Sequence, residues 1–266
     1  EIVSRDWSSD VCSSDLGYYL SESSYQPLIK KYNFTHSQNA AGFLSIDFFS
    51  KQSKTLRDNN LYIIRRGKGQ FVIFDGEQFA HPYLELTTNH AENLQVDTTG
   101  FPELLDAFET RQENAGLEQL NVMRGYDVLI KELFGNTEWK LGPRGIKGSE
   151  FPVFFKKNSG QIQKIFDFNG RDDLDYSIWT KDCILLFEAK SVDVNQGLDV
   201  GWHKMAFPAT RFFKYTKYKI KPVYFLKWDN IIHLFVFPDL IHHDNGVILN
   251  DKESFRPERI FRIVTR

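Results

Sequence analysis

Residues 172–191, DDLDYSIWTKDCILLFEAKS, carry the side chains best suited to chemistry. Read as two strands they alternate: Asp173, Asp175, Ser177 and Trp179 fall on one face of the first, and Leu174, Tyr176 and Ile178 on the other. On the second strand Ile184, Leu186, Glu188 and Lys190 share a face. A two-residue loop at Lys181-Asp182 pairs Thr180 with Cys183. It carries the register on to Asp175 opposite Glu188, where facing Cβ atoms stand ~4.5–5.5 Å apart. Two carboxylates that close repel each other unless a cation lies between them. Their oxygens, with the Ala189 carbonyl and water, suit a hard divalent ion such as Mg2+. Such an ion polarises a phosphate oxygen and acidifies a bound water. Lys190 adds an ammonium to orient that water or offset developing charge. Together these parts describe metal-assisted phosphodiester hydrolysis.

A solvated, salt-bridged strand end contains the same residue types, and an Asp followed by Glu-x-Lys is weak by itself. Here, however, Glu188 and Lys190 follow the apolar run 183–187, which places charges at the end of a buried strand, where they are rare.

The elements that must position these residues follow from periodicity. Residues 61–65 and 70–74 read as strands joined by the turn Arg66-Gly67-Lys68-Gly69. Residues 25–32 and 102–113 read as helices, with a polar linker at 90–100 between them. A further helix over 116–134 repeats Leu117, Leu120, Met123, Ile130 and Phe134 at helical spacing. The pattern then switches to period two. Strands are expected over 151–155, 162–168, 174–179 and 183–188, a helix bent at Pro208 over 198–213, and strands over 222–227 and 231–237. That order makes the chain α/β with a mixed sheet.

Asp175, followed by Glu188-Ala189-Lys190 at the end of an apolar strand, resembles the PD-(D/E)XK nuclease signature. From residue 116 to the end, the chain resembles the type II restriction endonucleases of that superfamily. The resemblance implies a restriction-endonuclease-like mixed sheet flanked by helices over 101–266; residues 17–100 read separately as a partial, small α+β N-terminal module, a candidate for DNA recognition. It implies Mg2+-dependent cleavage of double-stranded DNA, with Asp175, Glu188 and the Ala189 carbonyl at the metal and Lys190 assisting the nucleophile. It also implies an acidic residue on the first core helix facing the metal. Glu118 fits, on the stripe 118, 122, 125, 129 with Val122 and Leu129. A homodimer, a companion DNA methyltransferase and a cytoplasmic setting belong to the same resemblance. The sequence departs from the pattern in having Leu174 before Asp175 in place of Pro, and His203-Lys204 where some relatives carry Gln. Asp173 is a rival to Asp175 as ligand. A non-catalytic DNA-binding regulator on the same fold, and a repair or junction-resolving nuclease, are alternative functions.

Basic residues supply the expected DNA contacts. Residues 200–228 hold Lys204, Arg211, Lys214, Lys217, Lys219, Lys221 and Lys227 with no acidic residue before Asp229. Lys204, Arg211 and Lys214 follow the Glu-x-Lys strand most directly. Arg144 and Lys147 sit in the loop 142–148, and Arg65, Arg66 and Lys68 lie on the N-terminal turn. His242-His243-Asp244 reads as a surface turn and Cys183 as a core residue. Gly67-Lys68-Gly69 lacks the Ser or Thr of a phosphate loop.

Composition bounds the rest. Of 266 residues, 41% are hydrophobic and 26% charged, which excludes a disordered or fibrous chain. The 24 Phe imply a Phe-rich core, and two Cys exclude a disulfide scaffold or zinc ribbon. Net charge is −2, so only a locally basic face is available for nucleic acid. No apolar run approaches the ~18–20 residues of a membrane helix. Residues 1–16, EIVSRDWSSDVCSSDL, match the translation of a common sequencing-library adapter. They are expected to be artefactual, with the natural protein entering near Gly17.

Overall fold

Every residue of Cys183–Lys190 is buried, and a strand buried on both faces needs a packed layer on each side. The computed structural model describes residues 13–14, 17–21, 23, 27, 48–98, 113–192, 198–251 and 256–265. The helices expected over 25–32 and 102–113, and the adapter-like tail, fall almost wholly outside them. In chain order the described elements are β1 (Ser13–Ser14), β2 (Gly17–Leu20), α1 (Lys54–Asp58), β3 (Leu61–Gly67), β4 (Gln70–Asp75), β5 (Tyr83–Leu86) and β6 (Glu92–Asn93). Next come α2 (Glu113–Val122), α3 (Gly125–Phe134), β7 (Trp139–Leu141), β8 (Lys147–Lys156), β9 (Ile162–Asp172), β10 (Tyr176–Thr180) and β11 (Cys183–Lys190). The last are β12 (Leu198–Gly201), α4 (His203–Ala209), β13 (Lys219–Trp228), β14 (Ile231–Val236), β15 (His242–His243), β16 (Gly246–Ile248) and β17 (Arg259–Val264).

The chain is a mixed α/β protein. Its largest sheet has seven strands in the order β6-β17-β14-β13-β11-β10-β7. β11 lies near its middle, parallel to β13 and antiparallel to β10. On one face Leu185, Phe187, Ala189, Val223 and Phe225 pack with Leu117, Leu120, Tyr126 and Ile130 of α2 and α3. On the other, Ile184, Leu186, Tyr224 and Leu226 pack with Met205 and Ala206 of α4 and with Phe151, Val153 and Phe155 of β8. No described helix is long and apolar enough to cross a membrane.

The structure corrects four expectations. Residues 61–86 do not form a module with a core of their own. Phe74 stacks on Phe155 at 4.7 Å, Tyr62 stacks on Phe74 at 5.2 Å, and β5 pairs antiparallel with β12 across the expected domain boundary. Each such aromatic is worth ~1.5–3 kcal/mol when buried, and the hairpin obtains that burial only against β8 and β9. The hairpin turn also touches β9 backbone to backbone. A Cβ on Gly67 (φ +109°) would lie 2.1 Å from the Asn169 carbonyl oxygen, so glycine is required there. Second, the expected linker at 90–100 contains β6, which adds to the central sheet beside β17 while Leu94 enters the core.

Third, the helix expected over 116–134 is two helices. Arg124 turns left-handed at φ +52°, and a Cβ on Gly125 would lie 2.1 Å from Leu120 Cδ1. Helical spacing survives such a break, so the apolar pattern does not reveal it. Fourth, the N-terminal part of the helix expected over 198–213 is strand β12. Its partner β5 lies more than a hundred residues earlier, a contact that no local pattern reports. Helix α4 ends in a 3-10 turn (Thr210–Phe212) just after Pro208.

Candidate active site

The hairpin β10–β11 carries the site. Its loop is Lys181-Asp182, and the Thr180 hydroxyl accepts the Cys183 N–H at 2.9 Å, which closes the turn. Tyr176 pairs with Phe187 and Trp179 with Ile184, so the paired register ends one step short of Asp175 and Glu188. Tyr176 and Ile178 point to the helix-covered face with Phe187. Leu174 does not join them: β10 begins at Tyr176, strict alternation ends there, and Leu174 packs into the opposite cluster.

Asp175 ends the hairpin by accepting a hydrogen bond from the Ala189 backbone N–H at 2.7 Å. Lys190 Nζ lies 2.8 Å from Glu188 Oε1 and 3.5 Å from Glu113 Oε1, and it donates to the Ala189 carbonyl at 2.9 Å. Three oxygens from three separate groups therefore converge on one ammonium. Glu188 and Lys190 are buried, at 6% and 8% exposure. They open into a cavity of about 190 Å³ lined also by Arg65, Asp173, Asp175, His203 and Lys204. Burial pushes the Glu188 carboxyl up from 4.5 to about 7. The Lys190 and Lys204 charges oppose the shift and the Asp175 charge adds to it. Burial also raises Asp175, against the Ala189 N–H and the Lys190 charge.

Asp173, the rival ligand, is exposed on the cavity rim, whereas Asp175 is hydrogen-bonded to the Glu188-Ala189 segment. Glu118 does not face the site. It pairs with Arg144 Nη1 at 2.9 Å, while α2 buries Gly116, Leu117, Gln119 and Leu120 instead. The acid that helix α2 brings to Lys190 is its first residue, Glu113, and nothing in the sequence pattern marks it. Among the expected DNA contacts, Lys204 lines the cavity. Arg211 does not offer its charge to a phosphate, since it is buried in an ion pair with Asp172 and bonds the Asp172 carbonyl at 2.8 Å. Arg144 spends its charge on Glu118, Lys147 is exposed at the start of β8, and Lys214 lies over the Tyr215 ring on an exposed turn. The basic run over 200–228 also dissolves in three dimensions. Lys219 and Lys221 pair with Asp239, Lys221 also with Glu258, and Lys227 is buried.

The donors present fit a hard divalent cation. They are carboxylate and carbonyl oxygens, already gathered about a positive charge, and the buried Glu188 carboxylate lacks enough compensation to ionise at its ordinary pH. Among the described residues no three His, Cys, Asp or Glu side chains form a binding group by themselves, so a carbonyl and water must complete any shell here. No family model matches the chain, and no curated protein or solved structure matches it.

The raised Glu188 pKa has a sign that can be measured. Between pH 4.5 and about 7 the folded chain holds a proton that the unfolded chain has lost, so this group's contribution to stability falls as pH rises through that window and then levels off. Glu188→Gln removes the effect. Its stability relative to the parent is expected to rise by about 3 kcal/mol between pH 4.5 and pH 8, on top of a pH-independent cost of leaving Lys190 without this carboxylate. Urea unfolding at the two pH values checks this, and an equal difference at both would contradict the assignment.

Proposed function

We propose that the chain is a PD-(D/E)XK-type endonuclease of the type II restriction kind, which hydrolyses phosphodiester bonds of double-stranded DNA with Mg2+. The observation that supports it is the cluster at the C-terminal end of β11, an interior strand of the mixed sheet: Asp175, Glu188, the Ala189 carbonyl, Lys190 and Glu113, open to a cavity. The central sheet, with helices α2 and α3 on one face and α4 on the other, is compatible with a restriction-endonuclease-like core.

In this reading Asp175 and Glu188 hold the metal with the Ala189 carbonyl, and the Ala189 N–H fixes the Asp175 carboxylate. A bound Mg2+ would supply Lewis acidity toward a phosphate oxygen and a more acidic water. Lys190, held by Glu188 and Glu113, sits where its ammonium can orient the attacking water and offset charge on the phosphate. Lys204 adds a second positive charge at the cavity wall. The buried walls, Phe168 and Phe207 among them, limit bulk water and strengthen each of these interactions.

Supercoiled plasmid incubated with the protein and Mg2+ tests the reading. The expected products are discrete linear fragments, absent when EDTA replaces the metal. Preference for branched over linear DNA would favour a junction-resolving enzyme. Tight metal-independent binding without cutting would favour a regulator.

A further inference from the structure

We infer that a groove beside the cavity, walled by the N-terminal hairpin turn and the ends of β8 and β9, holds the sugar–phosphate backbone of the DNA next to the scissile phosphate. The inference rests on the nuclease reading for its neighbour, but its residues lie largely outside that cluster. The groove encloses about 530 Å³ and is lined by Arg65, Lys68, Ser149, Glu150, Asn169 and Arg171, with Gly148 and Gly170. Arg65 and Arg171 line both the groove and the cavity, so the two adjoin.

Charge separates along this path. Apart from the shared Arg65 and Arg171, the cavity sets five acids, Glu113, Asp172, Asp173, Asp175 and Glu188, against two lysines, Lys190 and Lys204, an excess that repels a polyanion. The groove presents three cations, Arg65, Lys68 and Arg171, against one carboxylate, Glu150. None of these three cations makes an ion pair among the described residues, in contrast to Arg144, Arg211, Lys219 and Lys221. The Arg65 Nε is buried and has no hydrogen-bond partner. A guanidinium suits phosphate because its donors match two oxygens at once. The floor is rigid: Gly67 and Gly170 meet backbone to backbone, with a Cβ on Gly170 only 2.8 Å from Gly67 Cα. Lys68, next on the turn at φ +47°, is exposed and lines the groove. A Cβ at Gly148 would meet nothing within 4 Å, so the groove is open there. The N-terminal hairpin thus contributes to the substrate path through its turn while its strands complete the core.

The test reads binding apart from cutting. A fluorescently labelled duplex is titrated with the full chain in EDTA at several salt concentrations, and anisotropy gives the dissociation constant. Each phosphate contact contributes ~0.9 to the slope of log affinity against log salt. The Lys68→Gln/Arg171→Gln double variant should therefore flatten that slope by about 2. Lys181→Gln, at the opposite end of β11, should change it little. Both lysines and Arg171 are exposed, so matching thermal midpoints serve as the folding control. An unchanged slope in the double variant, or a parent chain that does not bind duplex, overturns the groove. Parent binding with the expected loss in the variant, but no Mg2+-dependent cutting, keeps the groove and removes the nuclease. Cutting with an unchanged slope does the reverse.

Discussion

Lys190→Ala and Glu188→Ala are each expected to lower plasmid cleavage by about 10³-fold, while duplex binding in EDTA stays near that of the parent. Removing one preorganised group that stabilises charge in a water-excluded site typically costs 10²–10³ in rate. Lys190 serves as such a group and as the cation that links Glu188, Glu113 and the Ala189 carbonyl, so the upper end applies. Lys190→Arg should recover little, because a planar fork does not reproduce a compact ammonium held by three oxygens. Glu113→Gln should cost less, about 10-fold, since it acts through Lys190 at 3.5 Å. Glu118→Ala should leave cleavage within a few fold, because its partner is the exposed Arg144. Single-turnover cleavage rates at saturating Mg2+ separate these cases. If Glu118→Ala abolished cleavage and Glu113→Gln did not, the arrangement drawn here would be wrong.

Asp172→Ala is expected to destabilise the fold by about 3–5 kcal/mol, the usual cost of removing one partner from a buried ion pair. Asp172 and Arg211 expose only 1% and 7% of their side chains, and Asp172 also accepts from the Ser149 hydroxyl. Truncation leaves the Arg211 guanidinium buried without its carboxylate. The pair joins the end of β9 to the turn after α4, and Asp175 follows three residues later, so the site's geometry depends on this corner. Replacing both partners by apolar groups of similar size is often nearly neutral. Asp172→Leu/Arg211→Met should therefore recover at least half of the loss, a recovery that a merely additive pair of defects would not show. Urea unfolding midpoints of the two single variants and the double variant decide it, and a cost under 1 kcal/mol for Asp172→Ala would show the pair to be solvated.

Much of the local structure was legible because its causes are local. A two-residue loop with alternating flanks sets the hairpin register, so the pairing of residues 176–179 with 184–187 follows from the spacing of residues 172–191. The turn Gly67-Lys68-Gly69 needs positive φ at consecutive positions and announces itself by its glycines. The apolar run before Glu188 marks a strand that must be covered on both faces. Expected strand positions were accurate, while their ends moved by a few residues.

Partner choice was not legible. The sequence supplies Arg211 with a positive charge but not with Asp172, which comes from the end of another strand and takes that charge out of the DNA-facing set. Glu118 and Glu113 look alike in one dimension. Which of them reaches Lys190 depends on which face of α2 packs against the sheet. Likewise, residues 17–100 resemble a separate module until β5 pairs with β12 and Phe74 meets Phe155. The sequence by itself determined the hairpin, its register and the acidic and basic groups at its end, because adjacent residues constrain one another through backbone geometry. The tertiary structure alone decided which charges neutralise each other, which remain to line the groove, and that the two halves share a core, because those outcomes rest on contacts between segments far apart in the chain.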